Sequence, residues 1–280
     1  MTGTLSLRGG AALLALAAAI LLLIAGCVAR EESAGTKIVD DDGDVRTDVS
    51  SSPASDCRPE WILLEPGLRH RNHCADGAAA LHLVEIDPKL WALDAARVAP
   101  TTAPAIARDR GARFAINANF FDPEKRTLGA IVSGGRGVQS AHPVSWQSIF
   151  YTTPEGVAGI VLPEGWGAVK ETVAMAAQAG PRIVVGGRPT DATRATPSAR
   201  SGVCLAREKV IFFATAGIAL YDVQEIAALA SRSEEEGGLG CRDAMLFDGG
   251  PSAQMHLEGS GISIEGDSVP AFVLGSPKDD

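Results

Sequence analysis

Three segments of the chain place polar or glycine residues at one end of a short apolar run. They are Ile116-Asn-Ala-Asn-Phe-Phe121, Gln178-Ala-Gly-Pro181 and Met245-Leu-Phe-Asp-Gly-Gly-Pro-Ser252. A short apolar run bounded by turn residues is typical of a buried strand. Residues at the end of such a strand are held on a rigid scaffold, so these segments indicate where a functional site could be built.

The third segment carries the most chemistry. Asp248 ends the run as a carboxylate, which suits proton transfer or binding of a sugar hydroxyl or an arginine better than binding of phosphate. Gly249 and Gly250 can expose backbone N–H groups that bind a phosphate or a developing negative charge. Ser252 adds a hydroxyl. The alternative is a simple turn in which Asp248 caps its own backbone.

Other polar residues give weaker signals. Arg200 opens a further predicted strand and could bind a phosphate bidentately. The alternative is that it forms an ion pair on the surface. None of the 5 histidines shows metal-ligand spacing, and only His142 remains a candidate. Trp146 could stack on a sugar, but core packing is the favoured interpretation. We therefore predict neither a metal nor a cofactor.

Strands must position these residues, and short apolar runs between Gly and Pro signals predict many of them. The predicted strands cover residues 61–64, 80–86, 90–98, 112–117, 148–152, 157–162, 182–185, 202–206, 210–214, 244–247 and 271–274. Helices are predicted at 103–110, 169–179 and 222–232, the last with a capping box formed by Asp222 and Glu225. Strands outnumber helices without alternating regularly, which predicts a single-domain α+β fold with a mixed or antiparallel sheet and a few packed helices.

The N-terminus predicts export. Residues 11–25 form an unbroken apolar run that is shorter than the roughly 20 residues a membrane-spanning helix needs. Its end, Ile24-Ala-Gly-Cys27, resembles the bacterial lipobox. Residues 1–26 are therefore expected to be a lipoprotein signal peptide, with Cys27 lipidated and the protein anchored in the bacterial cell envelope. An ordinary secretory signal with an incidental cysteine is the alternative.

Composition separates a tether from a folded domain. Residues 27–56 lack aromatic residues and are rich in carboxylates, which predicts a flexible acidic tether. Residues 57–280 are expected to form the domain, with its core at about 80–275. The chain carries 25 basic and 34 acidic side chains, a net charge of −9, so nucleic acid is an improbable partner.

Four cysteines remain once Cys27 is assigned to lipid, and an oxidising compartment favours disulfides. Three pairings are possible. We predict Cys57 with Cys74, because a short loop rich in charge separates them, and Cys204 with Cys241, because both border neighbouring strands. A zinc site is disfavoured, since no pair has the usual ligand spacing.

Taken in order, four motifs resemble the phosphodiester glycosidase family. They are Ala115-Ile-Asn-Ala-Asn-Phe-Phe121, Gln178-Ala-Gly-Pro181, Arg200-Ser-Gly-Val203 and Leu246-Phe-Asp-Gly-Gly-Pro-Ser252. The resemblance covers roughly residues 80–275. It implies hydrolysis of a sugar joined through its anomeric oxygen to a phosphodiester, with release of free sugar and a phosphate monoester. Many relatives have glycine where this chain has Asn119, which could add a substrate contact.

The resemblance also implies the site residues. Those implied as catalytic are Asp248, Asn117 and Arg200, and those implied as substrate-binding are Asn119, Gln178, Gly249, Gly250 and Ser252. Arg200 and the glycine amides would hold the phosphate, while Asp248 would activate water or stabilise an oxocarbenium ion.

Three questions stay open on the sequence alone. Glu124 and Glu171 are candidates for a second catalytic carboxylate. The protein could instead bind phosphoglycans without turnover. It could also be a metal-dependent phosphodiesterase with Asp248 and Asp243 as ligands.

Overall fold

Short strands joined by turns rich in glycine and proline dominate the chain, as the apolar runs predict. The computed structural model describes residues 38–39, 45–46, 57–76, 78–192 and 196–278. The chain divides into two units, Met1–Pro53 and Ala54–Asp280. In the first unit, β1 (Ile38–Val39) pairs antiparallel with β2 (Val45–Arg46), inside the segment predicted to be a tether. The predicted signal peptide and Cys27 lie outside the described residues.

The second unit contains the remaining elements. Its strands are β3 (Ile62–Glu65), β4 (Leu68–Ala75), β5 (Ala78–Ile86), β6 (Trp91–Thr101), β7 (Phe114–Asn117), β8 (Ile131–Ser133), β9 (Arg136–Gln139), β10 (Ser148–Thr152), β11 (Ala158–Val161), β12 (Met175–Ala179), β13 (Arg182–Val185), β14 (Arg188–Pro189), β15 (Ser201–Ala206), β16 (Lys209–Thr215), β17 (Asp243–Leu246), β18 (Met255–Leu257), β19 (Ile262–Ile264) and β20 (Val269–Pro277). The α-helices are α1 (Ala103–Arg110), α2 (Trp166–Val169) and α3 (Val223–Ser231). Single 3₁₀ turns cover Pro163–Gly165, Glu234–Glu236 and Gly250–Ser252.

These strands form three antiparallel sheets. The large sheet has the order β14-β13-β17-β15-β16-β5-β4-β3, the β7 sheet β19-β18-β7-β20-β6, and the β12 sheet β11-β10-β12-β8-β9. Each strand pair among the described residues is antiparallel. The fold is therefore richer in strand than the predicted α+β class, and of the two predicted sheet types, mixed or antiparallel, the sheets are of the antiparallel type.

The three sheets meet around buried aromatic side chains. Phe212 of the large sheet lies 4.9 Å, centroid to centroid, from Phe114 of the β7 sheet and 5.8 Å from Phe150 of the β12 sheet. All three side chains are fully buried. Such aromatic pairs contribute about 0.5–1.5 kcal/mol each beyond their buried area, so this cluster fixes the sheets relative to one another.

Helix α3 covers the other face of the large sheet. Its apolar side packs against the sheet through Val223, Ile226 and Ala230. The predicted capping box is present: Asp222 Oδ1 accepts a hydrogen bond from Glu225 N at 2.7 Å, and Glu225 Oε2 accepts one from Asp222 N at 2.9 Å. The helix therefore begins where the sequence predicts.

The helix predicted at residues 169–179 is wrong. Helix α2 ends at Val169, and residues 175–179 form strand β12 between β10 and β8. All five residues of β12 are buried. Their alanines favour helix in isolation, but small side chains also fit a strand covered on both faces, and the tertiary context decides between the two.

Both predicted disulfides are present. The Cα atoms are 5.9 Å apart in Cys57–Cys74 and 5.5 Å apart in Cys204–Cys241. The residues between Cys57 and Cys74 are not the charged loop expected there, because they form the β3–β4 hairpin, in which His70 and Asn72 are buried. Disulfides are typical of exported proteins. Among the described residues, no helix has the length and apolarity needed to span a membrane.

Candidate active site

Antiparallel pairing brings the polar ends of separate strands together. Strand β17 pairs with both β13 and β15 and runs opposite to each of them. The residues that follow β17 therefore meet the residues that precede β13 and β15. Asp248, Arg200 and Gly180 consequently line one cavity, although 68 positions separate Gly180 from Asp248 in the sequence.

The backbone of Asp248 is fixed from two sheets. Its carbonyl oxygen accepts hydrogen bonds from Asn117 Nδ2 at 2.6 Å and from Ser201 Oγ at 3.2 Å. Its N–H donates to the carbonyl oxygen of Ala118 at 3.0 Å. Asn117 Oδ1 in turn accepts a hydrogen bond from Gln254 N at 3.0 Å. Asn117 is buried behind the cavity wall, so its contacts are those of a positioning residue.

The Arg200 guanidinium is held in place by backbone carbonyls. Nε donates to Tyr221 O at 2.9 Å, and Nη2 donates to Thr196 O at 3.0 Å. Only 8% of the residue is exposed, yet it lines the cavity. Arg200 therefore presents an ordered positive charge to whatever enters the cavity.

Packing explains why residue 202, in the motif Arg200-Ser-Gly-Val203, is glycine. A Cβ atom on Gly202 would lie 2.5 Å from the carbonyl oxygen of Met245 and 2.5 Å from Phe213 Cζ. Contacts that short do not occur at real Cβ atoms. Glycine is therefore required at 202 for β15 to approach β17, the strand that delivers Asp248.

The two glycines after Asp248 are not equivalent. Gly250 N donates to Ala199 O at 2.8 Å, so this N–H is not exposed to an anion as the sequence predicted. Gly249 N has no hydrogen-bond acceptor among the described residues, and Gly249 lines the cavity. Gly250 has a φ of 62°, which favours glycine. Ser252 is buried and lies outside the cavity lining.

The cavity has a volume of about 770 Å³ and a mixed lining. Trp146 and Phe120 supply its aromatic surface, with ring centroids 5.4 Å apart in an edge-to-face arrangement. Trp146 is 49% exposed, so the favoured interpretation of this side chain as core packing is wrong. Its position in a polar loop gave no sequence signal that distinguished the two interpretations. The remaining lining residues are Pro181, Ala192, Thr196, Pro197, Ser198, Leu246, Phe247 and Gly250.

Asn119 anchors a loop rather than lining the cavity. Its Nδ2 donates to Leu128 O at 3.0 Å and to Ala130 O at 3.1 Å, and the residue is 2% exposed. Its φ is not positive, so the backbone here does not require the glycine found in many relatives. Asn119 fixes the loop that begins with the cavity residue Phe120.

Gln178 also anchors loop backbone rather than lining the cavity. Its Oε1 accepts hydrogen bonds from Ala130 N at 2.8 Å and His142 N at 2.9 Å. Its Nε2 donates to His142 O at 2.6 Å and to Gln147 Oε1 at 3.0 Å. Gln178 is fully buried, and it holds the loop that carries Trp146. His142 lines a separate smaller cavity.

The other carboxylates considered are remote from the cavity. Glu124 pairs with Arg126 and Glu171 with Lys170, both on the surface. No second carboxylate appears among the described residues that line the cavity with Asp248. Neither candidate for a second catalytic carboxylate is therefore placed at the site.

Asp243 and Asp248 cannot bind one metal ion. This excludes a metal-dependent phosphodiesterase in which these two carboxylates are the ligands. Asp243 begins β17 and Asp248 follows its end, a separation of roughly 16 Å along an extended strand. Asp243 instead accepts hydrogen bonds from Arg182 and Arg242. Burial raises the pKa of Asp243, but these hydrogen bonds outweigh it and hold the pKa below its ordinary value. Within the part of the chain described, no group of three His, Cys, Asp or Glu residues could hold a metal.

Comparisons with known proteins place these residues in context. A family model described as phosphodiester glycosidase (NAGPA) matches residues 110–271, which include all eight predicted catalytic and substrate-binding residues. A hypothetical protein from Synechocystis has 18% identity and a TM-score of 0.54, over 84% of this chain and 65% of that one. The catalytic domain of zebrafish N-acetylglucosamine-1-phosphodiester alpha-N-acetylglucosaminidase, auto-inhibited by its pro-peptide, has 16% identity and a TM-score of 0.56, over 87% and 81% respectively.

These similarities differ in what they establish. At 16% and 18% identity, the two solved structures show a shared fold. The chain spans less than two thirds of the Synechocystis protein. No protein of curated function matches the chain in sequence.

Proposed function

Since the chain belongs to the phosphodiester glycosidase family, we propose that it hydrolyses the bond between the anomeric carbon of a sugar and a phosphodiester oxygen. The products are a free sugar and a phosphate monoester. One observation carries the proposal: Asp248, Arg200 and Gly249 line one cavity together with the aromatic residues Phe120 and Trp146. These are the groups needed to hold a phosphate, a sugar and a water molecule together.

The phosphate binds at Arg200 and Gly249. Arg200 supplies a positive charge whose orientation is already fixed by Tyr221 and Thr196, so little ordering entropy is lost on binding. A Cβ atom on Gly249 would lie 3.6 Å from Arg200 Nη1, which puts the Gly249 backbone and the guanidinium at one phosphate-sized position. Both groups stabilise the negative charge that grows on the departing phosphate.

The sugar occupies the side of the cavity lined by Trp146 and Phe120. Aromatic rings pack against the apolar face of a sugar ring, while polar groups fix its hydroxyls. Asp248 acts at the anomeric carbon, where it stabilises the oxocarbenium ion or accepts a proton from the attacking water. The bond from the anomeric carbon to oxygen breaks, and the water oxygen becomes the new anomeric hydroxyl.

The leaving group removes the need for a second carboxylic acid. A phosphate monoester has a second pKa of about 6, so it departs as an anion without first being protonated. Two carboxylates are the rule in glycosidases whose leaving group is an alcohol. A site with Asp248 and a fixed arginine is chemically sufficient for a phosphate leaving group.

Isotope labelling tests this reaction. The purified protein is incubated in ¹⁸O-labelled water with an N-acetylglucosamine-1-phosphate alkyl diester, and the label is located by mass spectrometry. Label in the sugar supports glycosidic cleavage. Label in the phosphate monoester contradicts it and identifies a phosphodiesterase. Saturable binding without products identifies a phosphoglycan-binding protein and also contradicts the proposal.

We also propose that the protein acts at a membrane surface, anchored by lipid on Cys27. The proposal is supported by the lipobox-like Ile24-Ala-Gly-Cys27 and by the two disulfides. Metabolic labelling with a fatty-acid analogue is expected to mark the wild-type protein. The Cys27→Ala variant should remain unlabelled, and equal labelling of both would contradict the anchor.

A further inference from the structure

A second cavity adjoins the active-site cavity. It has a volume of about 380 Å³, and it shares Ser198 and Gly250 with the first. A Cβ atom on Gly250 would lie 3.5 Å from Ser198 Oγ, so these two residues form the boundary between the cavities. A phosphodiester bound at Arg200 and Gly249 has its phosphate beside this boundary. The alcohol arm of the diester, which is attached to the phosphate opposite the sugar, can therefore extend into the second cavity.

Polar and apolar atoms contribute equally to the lining of the second cavity. Leu220, Pro251, Ala253 and Ile264 contribute hydrocarbon, and Thr215 contributes a hydroxyl. The exposed Glu265 is the only ionisable side chain in the described lining, and its negative charge disfavours a further anionic group on the substrate. An uncharged apolar arm would remove the hydrocarbon of Leu220, Pro251 and Ile264 from water without approaching this carboxylate with a second negative charge.

The loop between β16 and α3 extends this apolar surface into solvent. Ile218 is 97% exposed and Leu220 is 56% exposed, and the neighbouring Gly217 lines the second cavity. Large apolar side chains that cluster in this way on a surface mark a site of contact with an apolar ligand. Leu220 lines the second cavity, and Ile218 lies two residues before it in the same loop.

The same loop is hydrogen-bonded to Ser198 and Arg200, which line the active-site cavity. The carbonyl oxygen of Tyr221 accepts hydrogen bonds from Ser198 N at 3.1 Å and from Arg200 Nε at 2.9 Å. Tyr221 N donates to Ser198 O at 3.0 Å. The backbone of the loop at Tyr221 is thus bonded directly to Ser198 and Arg200.

We propose that the second cavity is a subsite for the alcohol arm of the phosphodiester, and that it selects an apolar alkyl alcohol over a polar one. This inference rests on the proposed hydrolysis and narrows its substrate class to sugar phosphodiesters of apolar alcohols. The sugar is released from one cavity, and the alkyl phosphate leaves from the other.

Two substrates of equal arm length test the subsite. N-acetylglucosamine-1-phosphate is esterified either with hexanol or with diethylene glycol, and kcat/KM is measured for both diesters with the purified protein. Each methylene transferred from water into an apolar site changes the equilibrium by about fourfold. The hexyl diester is therefore expected to be preferred by roughly tenfold or more.

A variant and a matched control assign the preference to the loop. Leu220→Ser should reduce the ratio of the two kcat/KM values to about twofold, because it removes hydrocarbon from the subsite. Val157→Ser makes a similar substitution at an exposed residue outside both cavity linings, and it should keep the wild-type ratio. Leu220 is 56% exposed, so its variant is expected to fold, which a thermal melt verifies.

The outcomes separate this inference from the proposed reaction. Equal kcat/KM values for the two diesters, or a Leu220→Ser variant with the wild-type ratio, would overturn the apolar subsite while leaving the hydrolysis intact. Hydrolysis of neither diester would overturn the proposed reaction and the subsite with it. A tenfold preference that Leu220→Ser abolishes supports both.

Discussion

Asn117 donates a hydrogen bond of 2.6 Å from its Nδ2 atom to the carbonyl oxygen of Asp248, across 131 positions of sequence. The bond joins the end of β7 in one sheet to the second residue after β17 in another. The carboxylate of Asp248 therefore depends for its position on a residue that does not line the cavity. We therefore expect Asn117 to act on the proposed catalysis through Asp248.

Substitution of Asn117 tests this positioning role. Asn117→Ala leaves Gln254 N–H without its acceptor and should lower the free energy of unfolding by about 1–3 kcal/mol. Asn117→Asp keeps that acceptor but places a carboxylate oxygen against the Asp248 carbonyl, so it should reduce kcat at least as strongly. For both variants kcat is expected to fall with little change in KM. A rise in KM at constant kcat would instead indicate direct substrate contact.

Asp248→Asn should reduce kcat by about a hundredfold or more, because the neutral amide neither accepts a proton nor stabilises an oxocarbenium ion. Asp243→Asn is the matched control, since it alters the carboxylate at the start of β17, whereas Asp248 follows the end of that strand. It should retain activity and show a lower Tm through loss of the contacts with Arg182 and Arg242. Equal losses of activity in the two variants would refute the assignment.

Gly249→Ala should raise KM and lower kcat/KM by about tenfold to a hundredfold. The added Cβ would lie 3.0 Å from Ala199 O and 3.6 Å from Arg200 Nη1, at the place where the phosphate is proposed to bind. Gly167→Ala is the control, because a Cβ atom there meets no neighbour within 4 Å. Wild-type kinetics of Gly249→Ala would show that the phosphate binds elsewhere.

Trp146→Ala should weaken sugar binding. The side chain is half exposed and contacts Phe120. Its removal therefore takes away apolar surface of the cavity but little core packing. We expect KM to rise by roughly tenfold with a change in Tm of a few degrees at most. A large drop in Tm with unchanged KM would show that Trp146 contributes to core packing and not to sugar binding.

The stability of the domain should fall on mild acidification. Burial, the neighbouring His82 and Arg58 lower the pKa of His70 from 6.5 to about 4, and burial also lowers the pKa of His82. Because the folded pKa is the lower one, the unfolded chain binds more protons below pH 6.5. Stability is therefore complete above about pH 6.5 and is lost as the pH falls toward 4.

His70→Gln should remove part of this pH dependence. Each proton taken up on unfolding contributes a slope of about 1.4 kcal/mol per pH unit between pH 6.5 and 4. Urea denaturation at several pH values measures the slope for wild type and variant. Identical slopes would mean that His70 does not stay neutral in the folded protein.

Local sequence was sufficient for features that depend on neighbouring residues. The capping box of Asp222 and Glu225 forms within one helical turn, and the apolar run 244–247 places a carboxylate directly after a strand. The two cysteine pairs were also predicted correctly, since the alternatives were few. Four ordered motifs identified the family because each motif is a contiguous stretch of chain.

Tertiary structure alone decided which polar residues face the cavity. Asn117, Asn119 and Gln178 have side chains that could contact a substrate, but their hydrogen bonds to distant backbone groups bury them behind the cavity. The Gly250 N–H is likewise engaged in a hydrogen bond to the carbonyl oxygen of Ala199. Strand β12 and the exposure of Trp146 likewise depend on how three sheets pack. Burial and hydrogen-bond partners are properties of contacts between segments far apart in sequence, and no local pattern of residues encodes them.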